Sequence, residues 1–394
     1  MARWGALLAL LLVGSARAAT PAAIDAALNR GAAFLLARQG EDGAWRSEDY
    51  GAFKDGYSQT PFVLSALLFA PPQPTVPAAY ARGVDFLAGL VGASGEVEGY
   101  LAYPVYASGG ALMVLSVPAN ARHAKARAAL VRFLSARQLT EQHGWRPDDP
   151  SYGGFGYYTG PLTRPKDGAE ADHLLSANLS STLYAIGALQ LAGVPRDDAR
   201  MAQAARFVRR CQNFAEGKAD PRFDDGGFFF TPANRIQNKA DLAAGTDEAH
   251  PRYRSYGSMT ADGLRALRRV GGPADAPRLA AADAWLVAHF DPEHPGGDYP
   301  PPREVLRRSV YYYWAWTTAH ALKDRGDRAR LDRLADAVLA RQDKDGAWRN
   351  PATDLREDDP LVATPFAMAA LAIARFVGTG EWRTAFDATT PARR

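Results

Sequence analysis

Apolar residues recur at helical spacing along most of the chain. In one segment Leu331, Leu334, Ala335, Val338 and Leu339 fall at i, i+3, i+4, i+7 and i+8, which is one face of a helix. Asp343-Lys344-Asp345-Gly346 then ends that helix, with Gly346 supplying the turn. A second kind of segment is apolar nearly all round. "FAMAALAIARF", residues 366–376, has almost no polar face and reads as a helix buried on most sides.

The two kinds alternate. An amphipathic helix, a turn with Gly, an aromatic residue, a loop and an apolar helix form one unit, and six units can be marked along the chain. The first holds "RQGEDGAW", residues 38–45, and the last holds "RQDKDGAW", residues 341–348. Six pairs of one amphipathic and one apolar helix predict an all-α (α/α)6 toroid. Its inner barrel is made of the apolar helices and its outer shell of the amphipathic ones. An open solenoid is the alternative. Closure is favoured because both ends of the array carry the same phrase, whereas open arrays end in atypical polar caps.

The repeated phrase resembles the Gln-Trp repeat motif of the squalene–hopene cyclase and protein prenyltransferase superfamily, over most of the chain. The resemblance implies a structural role for Gln39, Trp45, Gln342 and Trp348. Each Gln is expected to bridge to backbone groups at the start of the following helix, its amide oxygen accepting from unpaired N–H groups, with each Trp stacked nearby.

Residues 1–18 change the picture of where the protein works. A basic residue, the apolar run "ALLALLLV" and the A-x-A pattern at Ala16 and Ala18 read as a signal peptide, leaving 19–394 as a single toroid domain. Secretion or a periplasmic location follows as an expectation. "FAMAALAIARFV", residues 366–377, is read as a core helix, too short for a membrane span. Cys211 is the one cysteine, so there is no internal disulfide. The net charge of +3 is spread over 46 basic and 43 acidic residues without a basic block, so nucleic acid is not an expected partner. No cofactor and no metal are expected.

When the apolar helices are aligned, Thr60, Ser108, Thr182, Thr260, Ala315 and Thr364 share one position. Hydroxyls there read as helix caps. The six N-termini are expected at one mouth, beneath two long loops in the third and fourth units.

The resemblance also implies an acid. Its cyclases carry Asp-x-Asp-Asp-Thr at the start of one inner helix, and the matching stretch here is "NLSST", with Asn178, Ser180 and Ser181 in place of the aspartates. A serine hydroxyl does not protonate an alkene, so protonation-initiated cyclisation is not expected. The prenyltransferase zinc set is missing as well. The expected ligand is a small molecule or lipid, isoprenoid by resemblance. The alternatives are a polysaccharide- or peptide-processing toroid of the lyase kind, in which Arg252 or Arg254 would pair an acidic sugar, and a non-catalytic scaffold. Candidate pocket residues are Tyr57, Tyr103, Asn178, Ser180, Ser181, Arg254, Tyr256, Tyr312, Trp316 and Asp359. Tyr312 and Trp316 are chosen as one face of the segment "YYYWAWTTAH", with Tyr313 and His320 as another.

Overall fold

The computed structural model describes residues 19–97, 102–167, 172–247, 250–352, 355–382 and 384. The signal-peptide reading falls on residues 1–18, outside the described residues.

Six helices form the inner ring: α2 (Thr60–Leu68), α4 (Pro104–Leu115), α6 (Leu179–Leu191), α8 (Gly257–Val270), α11 (Tyr311–Arg325) and α13 (Pro360–Thr379). Six form the shell: α1 (Pro21–Leu36), α3 (Val76–Leu90), α5 (Ala124–Ala136), α7 (Ala199–Arg210), α9 (Ala276–Ala288) and α12 (Arg328–Ala340). A five-residue helix, α10 (Glu304–Arg308), precedes α11. Each inner helix packs on the next, and α13 packs on α2. The array is therefore a closed (α/α)6 toroid. The shell helices sit over the seams; α1 lies across α13 and α2, and α3 across α2 and α4.

Helix α13 has 20 residues, long and apolar enough to cross a bilayer by length and composition. That corrects the length expected from the sequence. Most of the helix is buried inside the protein, packed among α11, α12, α1 and α2, which keeps it a core helix.

The repeated phrase ties the ring together by a different route from the expected one. The Gln39 amide nitrogen donates to the carbonyls of Gly43 at 2.9 Å and Ala79 at 2.8 Å. Ala79 lies in the first turn of α3, so the link joins one shell helix to the next. Gln342 does the same to Gly346 at 2.8 Å and Ala27 at 2.9 Å, joining α12 to α1 and closing the shell. Gln138 reaches Gly153 and Arg200, and Gln212 reaches Gly226 and Arg278, each at 2.8–2.9 Å. The glutamines thus act as donors to carbonyls, not as acceptors at an inner-helix N-terminus. Arginines at Arg82 and Arg30 occupy the amide oxygens of Gln39 and Gln342.

The glycine of the phrase is required. Gly43 and Gly346 have φ of +90° and +91°, and a Cβ there would stand 2.6 Å from Arg82 O and 2.5 Å from Arg30 O. Only glycine allows both the backbone conformation and the close approach.

The link to the inner ring comes from the aromatic residue. The backbone N–H of Trp45 donates to Thr60 Oγ1 at 2.9 Å, and that of Trp348 to Thr364 Oγ1 at 3.1 Å. Phe155 and Phe228 do likewise to Thr182 and Thr260. Four of the five aligned hydroxyls, those of Thr60, Thr182, Thr260 and Thr364, therefore receive the incoming loop instead of capping their own helices. Both indoles are fully buried, and their Nε1 atoms donate to Leu35 O and Val338 O at 2.7 and 2.8 Å. Burying such a ring removes roughly 200 Å² from water, a contribution of several kcal/mol at about 25 cal/mol per Å².

Candidate functional site

Two cavities of about 450 Å³ each lie along the barrel axis. The mouth cavity is lined at the inner-helix N-termini by Phe53, Tyr103, Tyr106, Tyr157, Lys239 and Arg356, among others. Tyr157 and Lys239 come from the two long loops, which do converge on the mouth. The second cavity is lined mostly by residues from the middle and C-terminal turns of the inner helices, and by Trp382, which follows α13. Phe62 and Phe366 belong to both linings.

Those two rings are part of an aromatic septum. Phe62 meets Tyr184 at 5.9 Å, Tyr184 meets Trp316 at 5.8 Å, Trp316 meets Phe366 at 5.4 Å, and Phe366 returns to Phe62 at 5.8 Å between ring centroids. The four rings come from α2, α6, α11 and α13. Edge and tilted contacts of this kind are favourable beyond the area they bury.

Beside the septum stands a carboxyl group that sequence reading did not select. Asp262 on α8 is 0% exposed. Its Oδ2 accepts from Ser180 Oγ at 2.9 Å and from Tyr313 OH at 2.6 Å, and its Oδ1 from Thr317 Oγ1 at 2.5 Å. Arg265 donates to Thr317 Oγ1 at 3.0 Å and lies 3.8 Å from Asp262 Oδ1. Burial pushes the Asp262 carboxyl above its ordinary range, while Arg265 and the three hydroxyls pull against it. Asp262 itself lines neither cavity. Tyr313 faces the mouth cavity and Arg265 the inner one.

The signal for this cluster was present in the sequence. Asp262, Arg265 and Arg269 stand at i, i+3 and i+7 on a helix that the repeat pattern assigns to the inner ring. Charges on one face of a helix expected to be buried mark a site.

The candidates separate clearly. Tyr103 lines the mouth cavity and Trp316 the inner one. Ser180 reaches the lumen cluster through Asp262. The remaining seven line neither cavity. Asn178 caps α6, its Oδ1 accepting from Ser181 N at 2.8 Å, and Asp359 caps α13, accepting from Leu361 N at 2.8 Å. Ser181 and Tyr57 are buried in the wall. Tyr256 precedes α8 and packs edge-on against Tyr299. Arg254 donates to Leu242 O at 2.8 Å and pairs with Asp298. Tyr312 points outward and donates to Arg349 O at 3.2 Å. The lumen face of α11 carries Tyr313, Trp316, Thr317 and His320, a rotation of one residue from the Tyr312–Trp316 face chosen from the sequence.

Three further groups shape the site. Lys239 lies 4.9 Å from the Phe230 ring, and burial lowers its ammonium to about 8. The Arg356 guanidinium lies 5.2–5.5 Å from the rings of Tyr50, Phe53 and Tyr103. Glu357 is buried and accepts from the backbone N–H groups of Tyr312 and Tyr313 at 2.9 and 2.8 Å, capping α11. Burial raises its carboxyl to about 7. Among the described residues no group of three or more His, Cys, Asp or Glu side chains is placed to hold a metal ion. Cys211 is buried at the end of α7.

No protein-family model and no curated protein matches the sequence. Solved structures do match in shape. Type II terpene cyclase MstE from Scytonema, in complex with geranylgeranyl dihydroxybenzoate as substrate, aligns at a TM-score of 0.55 and 14% identity. That alignment covers 91% of this chain and 98% of the cyclase. A protein from Actinoplanes aligns at a TM-score of 0.54 and 18% identity, covering 89% of this chain and 99% of its own. At these identities the likeness is one of fold, and the fold is an α/α toroid of the type II terpene cyclase kind.

Proposed function

We propose that this protein binds an isoprenoid or other lipid in the lumen of the toroid and works outside the cytoplasm. The observation that carries the reading is the pair of cavities stacked on the barrel axis, with rings from α2, α6, α11 and α13 between them. A lumen walled by aromatic and aliphatic side chains gains from every apolar group that it takes out of water. The substrate of the Scytonema cyclase carries a geranylgeranyl chain, which supports a similar chain here. Export rests on the composition of residues 1–18.

Cyclisation by direct protonation is not part of the proposal. Positions 178, 180 and 181 lack aspartate, and Asp262 is fully buried and lines neither cavity. The lyase alternative finds less support. Arg252 pairs with Asp224 and Arg254 with Asp298, and neither arginine lines either of the two cavities described.

The test is mass spectrometry of small molecules retained by the natively purified protein, with squalene supplied separately as a substrate. A co-purifying isoprenoid or other lipid and no cyclised product are expected. A bound glycan would end the lipid reading, and a cyclised product would end the exclusion of cyclase chemistry.

A further inference from the structure

The inner cavity has two unlike walls. On the side of α2, α4 and α13 it is lined by Phe62, Phe69, Met113, Phe366 and Ile373. On the side of α8 and α11 it is lined by Arg265, Arg269 and His320. Arg265 and Arg269 are one turn apart on the same face of α8. His320 is one turn beyond Trp316, with ring centroids 5.7 Å apart, and the Arg265 guanidinium lies 4.4 Å from the Trp316 ring.

The charges on this wall do not cancel. Arg265 has Asp262 at 3.8 Å. The Arg269 guanidinium donates to Gln190 Oε1 at 3.4 Å, a weak contact, and among the described residues no carboxylate stands within 4 Å of it. Asp324 is engaged by Lys323 at 2.8 Å and Arg268 at 3.9 Å. Burial, and then Arg265, lower the Arg269 guanidinium below its ordinary range, while the Asp324 carboxylate, beyond contact distance, pulls the other way. Burial, followed by Arg265, Lys323 and Arg269, pushes the His320 imidazole well below its ordinary value. A cation kept in an apolar cavity with no counter-charge in direct contact is costly, and an anion brought in by a ligand relieves that cost.

We infer that the inner cavity is a site for a long-chain carboxylate, with its single negative charge on Arg269 beside Arg265 and His320 and its chain against the α2–α4–α13 wall. The inference rests on the lipid-binding reading and specifies the ligand's head group and orientation. A guanidinium fork matches a carboxylate, and His320 adds a ring nitrogen able to take up a proton. The cavity volume of about 450 Å³ falls in the range of sites for small ligands. Leu191 and Trp382, exposed at 59% and 42%, line the same cavity and mark where it meets the surface.

The experiment is fluorescence titration of the full chain at pH 7 with cis-parinaric acid and, in parallel, with its methyl ester. The acid is expected to bind about tenfold or more tightly than the ester, the effect of one charged hydrogen bond. Arg269→Gln is expected to erase the difference and leave the ester's affinity unchanged, while Arg356→Gln at the mouth leaves the difference intact. In the acid complex the His320 imidazole should titrate at higher pH by NMR. Equal binding of acid and ester by the wild-type protein overturns the inference and leaves lipid binding standing. Loss of the preference in Arg356→Gln instead of Arg269→Gln places the head at the mouth and also overturns it. If neither ligand binds, the lipid-binding reading falls too. The acid–ester comparison on wild-type protein needs no variant to fold.

Discussion

The phenol of Tyr313 on α11 donates to Asp262 Oδ2 on α8 at 2.6 Å, in the wall between the two cavities. Ser180 on α6 shares that oxygen at 2.9 Å, so one carboxyl ties three inner helices together. Replacing Asp262 with Leu leaves two hydroxyls from α11, one from α6 and the Arg265 charge without their acceptor. Removing one partner of a buried charged network costs about 3–5 kcal/mol. Asp262→Leu is expected to lower stability by that amount in urea denaturation. Asp262→Asn, which keeps one carbonyl acceptor, should cost about half as much. A neutral Asp262→Leu result would mean that the cluster does not hold the ring.

Gln342 closes the shell through two hydrogen bonds to carbonyls, one of them 315 residues away in sequence. Gln342→Ala should destabilise by about 1–3 kcal/mol, because Ala27 O and Gly346 O lose a half-buried donor. Gln39→Ala, which makes the same bonds within the ring, should cost a similar amount. Thermal unfolding of both variants compares them. A much larger effect of Gln342→Ala would show that closure of the ring carries cooperativity of its own.

Glu357 makes stability depend on pH. Burial raises its folded carboxyl from 4.5 to about 7, so the folded state holds a proton that the unfolded state releases earlier. Its contribution is fully present below about pH 4.5 and is lost as pH rises toward 7. The difference is on the order of 3 kcal/mol. Chemical denaturation between pH 4 and pH 8 should show this slope in the wild type and not in Glu357→Gln. An unchanged slope in the variant would assign it to another group.

Phe366 separates the cavities and belongs to both linings. Phe366→Ala should join them into one longer lumen. Mass spectrometry of retained ligands, or competition among chains of graded length, is expected to show a shift toward longer chains. An unchanged length preference would mean that the remaining rings, Phe62, Tyr184 and Trp316, divide the lumen without it.

The toroid was legible because each unit is written locally. The helical period, the turn glycine and the aromatic residue recur, and each specifies a hairpin that needs neighbours to bury its apolar face. The candidate site was legible only in part. Tyr103, Ser180 and Trp316 were found because aromatic and hydroxyl residues collect near inner-helix starts. Tyr312 was taken in place of Tyr313 because one residue turns a helix face by about 100°, and the period of a nearly all-apolar helix does not say which face meets the lumen. Asp262 is not among the sequence candidates, although its spacing with Arg265 and Arg269 on an inner helix is a usable sign.

By itself the sequence determined that six helical pairs form and that the ends carry matching halves of one joint. Those features follow from local propensity, turn chemistry and period. Which partners the joint uses was decided by the tertiary structure. Gln342 donates to a carbonyl of α1 because closure brings that carbonyl within 2.9 Å, and no local rule contains that distance. The division of the lumen and the enclosure of Asp262 likewise arise from side chains on helices far apart in the chain, which meet only when the ring is shut.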